Sequence, residues 1–298
     1  YDLPEWHYDK DSGELYAWLK NNDDPNTRSI EARGYTTDNY GDEDDILLAN
    51  DCSFLNFDGL TLRTGTFKLD RTTDIEFDDC RFLYSGHNTH MLGADAIYNK
   101  GTKYEQNANH WGNEAGGGSS GVPANITWRN SEFAYSYDTL LYEGNRGRNF
   151  VVDNCYFHNK PSGGGAIWSG GTKEGNVIRR VTAHTIGKGG IGKVGNGDNE
   201  GALVELNHIY DYHFHGDDAA IQVNRGSVAG LVIRNNWIHD LPGRNGIRFD
   251  GDPAGMRGTA NHNVLFNVKR GTRLKGDQHT VLSNLAIDNT HVDINVSH

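Results

Sequence analysis

A short pattern that recurs along most of this chain limits its fold more than any other feature. Each copy has an apolar or β-branched residue, a turn rich in Asp and Asn, and then two apolar positions separated by one residue. The copies include Phe77–Phe82, Val152–Phe157 and Ile233–Ile238. Internal repetition of this kind is typical of solenoids, in which one structural unit stacks on the next.

The spacing of the copies indicates the type of solenoid. The fourth residue of each copy serves as a marker, and the markers fall at positions 60, 80, 131, 155, 181, 207, 236, 263 and 284. Most steps are 20 to 29 residues, which suits one coil of a β-helix, but the step from 80 to 131 is 51 residues. We therefore predict an all-β fold, a single-stranded right-handed parallel β-helix, with one long inserted loop over residues 98–122.

The repeat also predicts what fills the interior. Asn207, Asn236, Asn263 and Asn284 share the marker position, and stacked Asn side chains can hydrogen-bond to one another at the ~4.8 Å spacing of strands. Two residues further on, an apolar column is expected from Phe82, Phe133, Phe157, Ala183, Ile209, Ile238, Leu265 and Ala286. Cys52, Cys80 and Cys155 lack metal-type spacing, and we expect them to be packing residues.

The first fifty residues lack the repeat. An open solenoid end needs a cover, so residues 1–52 are predicted to form an N-terminal cap, with a short helix within 13–21. No domain boundary is evident, and we expect one domain over residues 1–298. The chain opens at Tyr1, which suggests a processed, secreted or extracellular protein whose signal peptide is not in this sequence.

Composition excludes some functions. The formal net charge of −12 argues against a nucleic-acid partner, because such proteins carry a basic face. No apolar run reaches the roughly 18 residues of a membrane span. Nothing in the sequence requires a cofactor.

A second strand in each coil supplies the candidate site. Alternation sends Ile221, Ile247 and Leu274 inward, so the residues between them are expected to face solvent or substrate. The polar residues of this patch and its flanks are Asp217, Asp218, Gln222, Asn224, Arg248, Asp250, Arg273, Lys275 and Asp277. Equivalent positions of adjacent coils lie ~4.8 Å apart, which places these groups on one surface.

The patch has two chemical interpretations. Glycoside hydrolysis uses two carboxyl groups, which Asp217, Asp218 and Asp250 could supply. Elimination from a uronate uses a base together with cations that neutralise the substrate carboxylate, as Arg248, Arg273 and Lys275 could. These three cations, together with Gln222, Asn224 and Asp277, are predicted to bind substrate. A purely structural alternative is that these charges form cross-strand pairs.

Metal binding is left open by the sequence. The turns Asp42–Asp45 and Asp250–Asp252 offer oxygen ligands for Ca²⁺, but solvated turns have the same composition. His213 and His215 could place two metal ligands on one strand face. His158, His184 and His239 fall near one position of the coil, and a column of turn histidines is the simplest interpretation.

Two further motifs carry a family resemblance. The segment Gly216-Asp217-Asp218 and the triplet Arg273-Leu274-Lys275 resemble motifs of polygalacturonases, in the pectin-lyase-like superfamily of right-handed β-helices. This resemblance implies acid or base roles for the two aspartates and substrate-carboxylate binding by Arg273 and Lys275. The strand 245–250 lacks the His-Gly pair of that family, and 190–193 lacks a further Asp. The chain also resembles uncharacterised β-helix repeat proteins of marine microbes, which implies no reaction.

These observations lead to one functional hypothesis and two rivals. The first is a secreted carbohydrate-active enzyme that cleaves a polysaccharide, expected to be acidic, by hydrolysis or β-elimination. The second is a non-catalytic extracellular protein that binds glycans, forms filaments by self-assembly or has a structural role. The third is a phage-type tail adhesin, which predicts a stable trimer.

Overall fold

The computed structural model describes residues 5–9, 11–12, 14–18, 24, 27, 45–85, 113–115, 124–136, 139–143, 148–160, 165–169, 175–187, 189–194, 201–212, 219–223, 228–250 and 257–297. The chain forms two compact units, Tyr1–Asn39 and Tyr40–His298. In the first unit, β1 (Glu5–Asp9) pairs with β2 (Glu14–Trp18) in an antiparallel hairpin.

The expected helix within residues 13–21 is wrong, because residues 14–18 form β2. Tyr16 and Trp18 belong to the aromatic residues that favour strands, and the whole of β2 finds a pairing partner in β1. Pairing with a neighbouring strand therefore outweighs the weak helical spacing of Leu15, Trp18 and Leu19. The role of residues 1–52 as a cap stays a prediction.

The second unit has three parallel faces: sheet A is a nine-stranded sheet, and sheets B and C are the two faces of one seventeen-stranded sheet, joined by two long strands that run from one face to the other. Sheet A contains β4 (Ser53–Asp58), β7 (Thr73–Asp78), β10 (Ala124–Arg129), β13 (Val151–Asp153), β16 (Val177–Arg179), β19 (Leu203–Glu205), β22 (Val232–Arg234), β24 (Thr259–Asn261) and β26 (Thr280–Leu282). Sheet B contains β5 (Thr61–Arg63), β8 (Arg81–Leu83), β11 (Glu132–Ala134), β14 (Tyr156–Lys160), β17 (Thr182–Ile186), β20 (His208–Tyr210), the first parts of β23 (Trp237–Phe249) and β25 (Val264–Leu274), and β27 (Leu285–Ile287). Sheet C contains β3 (Asp45–Asn50), β6 (Thr66–Asp70), β9 (Asn113–Ala115), β12 (Leu141–Glu143), β15 (Ile167–Ser169), β18 (Ile191–Val194), β21 (Ala219–Val223), the later parts of β23 and β25, and β28 (Val292–Val296).

Each strand of these sheets pairs in parallel with the strand one coil further along the chain, so the fold is a parallel β-helix, as predicted. Parallel pairing already begins at β3, inside the region 1–52 that the sequence assigned to the cap. The predicted insertion 98–122 contains β9, which supplies the sheet C strand of its coil. The rest of that insertion lies outside the described residues.

The predicted apolar column is confirmed over its whole length. All eight of its residues, from Phe82 to Ala286, are in register on successive sheet B strands. Phe82, Phe133 and Phe157 stack with ring centroids 4.6 Å apart. Each buried Phe contributes roughly 1.5–3 kcal/mol, which makes this column a main source of stability.

The predicted Asn ladder is also confirmed. The Asn236 side-chain amide donates to Asn263 Oδ1 (2.8 Å) and to the carbonyl of Val204 (3.0 Å). The backbone N–H of Asn236 donates to the same Asn263 oxygen (3.0 Å). Asn207 and Asn263 repeat this pattern one coil away on either side. These bonds satisfy polar groups that would otherwise be buried without partners.

The turns carry backbone strain at regular intervals. In each coil a residue after the sheet A strand and another within or just after the sheet B strand adopt a positive φ, including Asn154 (54°), Leu206 (58°) and Asp211 (60°). Asn and Asp tolerate this conformation better than other residues with a Cβ, which explains the Asp/Asn-rich turn of the repeat. Their side chains also link coils, as where Asn154 donates to Asn130 Oδ1 (2.7 Å).

The cysteines behave largely as expected. Cys80 and Cys155 are buried, Cys52 is half-buried, and all three are free thiols. Burial raises the pKa of the Cys155 thiol to about 12. A thiol in that state is unreactive at neutral pH, so Cys155 is a packing residue.

Candidate functional site

The sheet C patch has the register that the sequence predicts. Gln222 on β21, Arg248 on β23 and Arg273 on β25 occupy equivalent positions of three successive coils. Gln222 and Arg248 are only 7% and 3% exposed, however, so the expectation that both face solvent is wrong. Instead of facing solvent, the guanidinium of Arg248 donates to Asp250.

Asp250 is held between two cations. Arg248 Nη2 donates to Asp250 Oδ2 (2.5 Å), and Lys275 Nζ lies 3.0 Å from Asp250 Oδ1. Burial acts to raise the pKa of the Asp250 carboxyl, but Lys275 and Arg248 outweigh it and hold this pKa below its ordinary value. A general acid needs a raised pKa, so the geometry favours Asp250 as the anchor of an ion-pair network.

The remaining described residues of the patch differ in their surroundings. Arg273 is half-buried and makes no side-chain hydrogen bond or ion pair with any described residue; its Nε is among the buried atoms without a partner. Asp277 is exposed, and its backbone carbonyl accepts a bond from the Arg257 N–H (3.2 Å). Arg273 is therefore the cation of this patch most available to an anionic ligand.

Several predicted site residues cannot be placed. Asp217, Asp218 and Asn224 lie outside the described residues, so their catalytic and substrate-binding roles stay predictions. The same holds for His213 and His215 and for the residues of both calcium-type turns other than Asp45 and Asp250. Within the described ranges, no group of three or more His, Cys, Asp or Glu side chains is arranged to hold a metal.

Sheet B carries a second surface that the sequence did not single out. Ten aromatic and histidine side chains point outward from seven successive coils and form an aromatic–histidine stripe. Its members are Tyr84, Tyr135, Tyr156, His158, His184, His208, Tyr210, Trp237, His239 and Phe266. Neighbouring rings from Tyr84 to His239 lie 4.2 to 5.8 Å apart between centroids.

The stripe begins with an ion-paired segment. Arg81 Nε donates to Glu132 Oε2 (2.7 Å), and His158 Nε2 lies 3.0 Å from the other oxygen of that carboxylate. Because a carboxylate accepts hydrogen bonds, His158 carries its proton on Nε2. The charges of Arg81 and Glu132 therefore compensate each other at this end.

A hydrogen-bonded chain starts at Tyr156, on the same strand as His158, and ends at Asp211 two coils further on. Thr185 Oγ1 donates to Asp211 Oδ2 (3.1 Å), His184 Nδ1 lies 2.8 Å from Thr185 Oγ1, and Tyr156 OH lies 2.5 Å from His184 Nε2. These contacts imply that His184 is protonated on Nδ1 and that its Nε2 accepts a hydrogen bond from the Tyr156 hydroxyl. The chain fixes the orientation of both rings.

Burial shifts the titration of this segment toward neutral forms. The pKa of His184 is lowered by burial and by the charge of His158, although Asp211 opposes the shift. The pKa of His208 is lowered by burial, then by His239 and His184. The pKa of Tyr156 is raised by burial and by nearby Tyr210 and Glu132.

Trp237 is the most exposed ring of the stripe, at 53%. One face of its indole stacks on His208 with a centroid distance of 4.9 Å. The next coil places Val264 at the same position, so no described ring covers the other face. Trp237 thus offers an open apolar surface beside polar ring edges.

The column of turn histidines expected from the sequence is wrong. His158, His184 and His239 lie on strands β14, β17 and β23, because each strand continues one residue beyond the apolar column before the positive-φ turn. His158 and His184 are directly in register, and Tyr210 joins His184 to His239. The signal was present in the sequence: eight stripe residues directly precede or follow a residue of the apolar column, and Tyr84 and Tyr135 lie two residues after Phe82 and Phe133.

The chain matches no protein-family model and no curated protein. It is similar to two solved structures of PfbA, a surface protein and adhesin of Streptococcus pneumoniae. One is 11% identical, with a TM-score of 0.49 over 84% of this chain and 68% of that chain. The other is 10% identical, with a TM-score of 0.39 over 78% and 72%.

No helix in the described part of the chain has the length and apolar character needed to cross a membrane.

Proposed function

We propose that this protein is a non-catalytic extracellular β-helix protein that binds a linear polysaccharide along the aromatic–histidine stripe. The observation that carries the proposal is the continuity of the stripe over seven coils. Six steps of ~4.8 Å make it ~29 Å long, enough for several sugar units. A long regular surface suits an extended polymer, and polysaccharides of many sugar units occur outside cells.

The chemistry of the stripe fits sugars. Pyranose rings have apolar C–H faces and polar edges, and aromatic side chains with polar tips match both. Trp237 supplies an exposed indole face, while His and Tyr edges supply hydrogen-bonding atoms for hydroxyl groups. Because Arg81 and Glu132 pair with each other and the rings between Tyr156 and Phe266 are uncharged aromatics or histidines, we infer that the preferred polymer is neutral.

A second candidate keeps the sheet C patch. The unpaired guanidinium of Arg273 supports the binding of a carboxylate on an acidic polysaccharide. Cleavage of such a polymer by hydrolysis or β-elimination, as the pectin-lyase-like resemblance implies, would rest on Asp217 and Asp218. The clamped state of Asp250 does not favour this reaction.

Binding to neutral and uronate-containing polysaccharides separates the two candidates. We expect Trp237→Ala to weaken neutral-glycan binding about tenfold, equivalent to ~1.4 kcal/mol. The matched control is Leu282→Ala, an equally exposed apolar residue on sheet A, 55% exposed, which should bind as the wild type does.

Each other outcome has a defined meaning. A loss of uronate binding in Arg273→Gln, with neutral binding absent, would favour the second candidate. Equal binding by Trp237→Ala and Leu282→Ala would contradict the stripe as the binding surface. New reducing ends or unsaturated-sugar absorbance after incubation would contradict a non-catalytic role.

A further inference from the structure

Two histidines of the stripe bring their ring nitrogens together across adjacent coils. His208 lies on β20 and His239 on β23, and their Nε2 atoms are 2.8 Å apart. Their ring centroids are 5.0 Å apart, so the rings splay and the Nε2 edges converge. Neither residue belongs to the candidate site predicted from the sequence.

The far side of His239 is fixed by a carboxylate. His239 Nδ1 lies 2.8 Å from Asp240 Oδ2, and because a carboxylate only accepts hydrogen bonds, Nδ1 must carry the proton. Asp240 is itself oriented by Asn267, whose side-chain amide donates to Asp240 Oδ1 (2.8 Å). In neutral His239 the Nε2 lone pair is therefore free of a proton and aimed at His208.

This arrangement resembles a metal site in two respects: the two Nε2 atoms converge, and a carboxylate orients one of the rings. Two nitrogens bound to one metal at ~2.0 Å lie ~2.8 Å apart at a right angle and ~3.3 Å apart at a tetrahedral angle. An imidazole ligand normally donates its other N–H to a carboxylate, as His239 does. The rigid pairing of β20 with β23 holds the two side chains at this separation before any ion arrives.

We infer that His208 and His239 form a binding site for a divalent transition-metal ion, tightest for Cu²⁺. Imidazole nitrogens suit copper, nickel and zinc, and affinity at such sites peaks at Cu²⁺. Ca²⁺ prefers oxygen ligands and should not compete here. Since the described residues provide no third protein ligand, water would complete the coordination.

The site lies within the stripe proposed to bind the glycan, but the inference does not rest on that proposal and is tested without a glycan. Cu²⁺ is titrated into the full chain by calorimetry, and the bound ion is examined by electron paramagnetic resonance for coupling to two imidazole nitrogens. We expect His208→Gln and His239→Gln each to lose one equivalent of tightly bound Cu²⁺. His291→Gln removes an exposed histidine at the start of the sheet C part of the last coil and serves as the matched control.

The variants also separate this site from histidines elsewhere in the chain, because those histidines are intact in His208→Gln, His239→Gln and Asp240→Asn. Asp240→Asn keeps both ligands and removes the charge behind His239, so it should weaken Cu²⁺ binding roughly tenfold or more. This variant also supplies the test if either glutamine variant does not fold. The inference is overturned if the wild type binds no Cu²⁺, or if the stoichiometry and the nitrogen coupling are the same in His239→Gln and His291→Gln.

Discussion

Sheets B and C present outward side chains on the same coils but stack them in different ways. On sheet B, aromatic and imidazole rings repeat from coil to coil with their centroids about as far apart as the strands themselves. On sheet C, the equivalent positions hold Gln222, Arg248 and Arg273. Like charges at the ~4.8 Å coil spacing repel, and Asp250 stands between Arg248 and Lys275 to compensate them.

The difference shows how a solenoid can keep a long surface available for a ligand. Neutral rings can repeat indefinitely along the axis without a counter-charge, so the aromatic–histidine stripe remains continuous. Charged side chains at the same spacing need partners, and those partners occupy the groups that a ligand would otherwise contact. Among the described residues of the sheet C patch, Arg273 alone is a cation without an ion pair, whereas sheet B retains a stripe ~29 Å long.

The largest expected effect comes from breaking the sheet C network. Arg248→Met removes one of the two cations that hold Asp250 and leaves a half-buried carboxylate with Lys275 alone. Removing one member of a buried pair is strongly destabilising, and because Lys275 remains we expect a loss of roughly 2–3 kcal/mol in the free energy of unfolding. Urea unfolding monitored by circular dichroism measures this change.

Arg129→Met is the control for that prediction. Arg129 pairs with Glu76 at 2.9 Å on sheet A, and the two side chains are 45% and 36% exposed. Exposed pairs contribute little, so this variant should change the free energy of unfolding by less than about 1 kcal/mol. Equal losses in the free energy of unfolding would mean that the sheet C network stabilises the fold no more than an exposed ion pair does.

The pH dependence of stability sharpens the same comparison. Because the pKa of Asp250 is lowered in the folded state, its ion pairs stabilise the fold fully above the unfolded pKa, ~3.9. That contribution to stability is lost as the pH falls below the unfolded pKa and then through the lower pKa of Asp250 in the folded state. The gap in stability between the wild type and Asp250→Asn should be equal at pH 7 and pH 5 and shrink below about pH 4.

Unfolding midpoints of both proteins at pH 7, 5 and 3 test this expectation. Other carboxyl groups titrate in both proteins, so the difference between them isolates Asp250. A gap that stays constant down to pH 3 would show that the carboxylate does not depend on Arg248 and Lys275.

The interior of the solenoid was predictable from the sequence because every coil repeats it. The marker residues from Leu60 to Asn284 align in the structure as their spacing indicated. Inward positions must be apolar or form a ladder, and only a few residue types satisfy this in successive coils. The hairpin of β1 and β2 was not predicted, because its strand pairing depends on contacts that no repeat in the sequence signals.

The outward surfaces were less predictable for a physical reason. The register placed Gln222, Arg248 and Arg273 together correctly, but burial of Arg248 depends on how long its neighbours' side chains are and where they turn. The stripe mixes Tyr, His, Trp and Phe, so no single residue type repeats in it. It becomes apparent only when the positions on either side of the apolar column are compared across coils.

The smallest expected effect tests what holds the stripe together. Tyr156→Phe keeps the ring and removes the hydroxyl that bonds His184 Nε2 at 2.5 Å. Water can reach this site, so we expect a loss of about 0.5–1 kcal/mol in the free energy of unfolding. Tyr210→Phe is the matched control, because the Tyr210 hydroxyl has no hydrogen-bond partner among the described residues, and it should leave stability unchanged. If both variants match the wild type, stacking alone orders the rings, and the contrast with the ion-paired sheet C is sharper still.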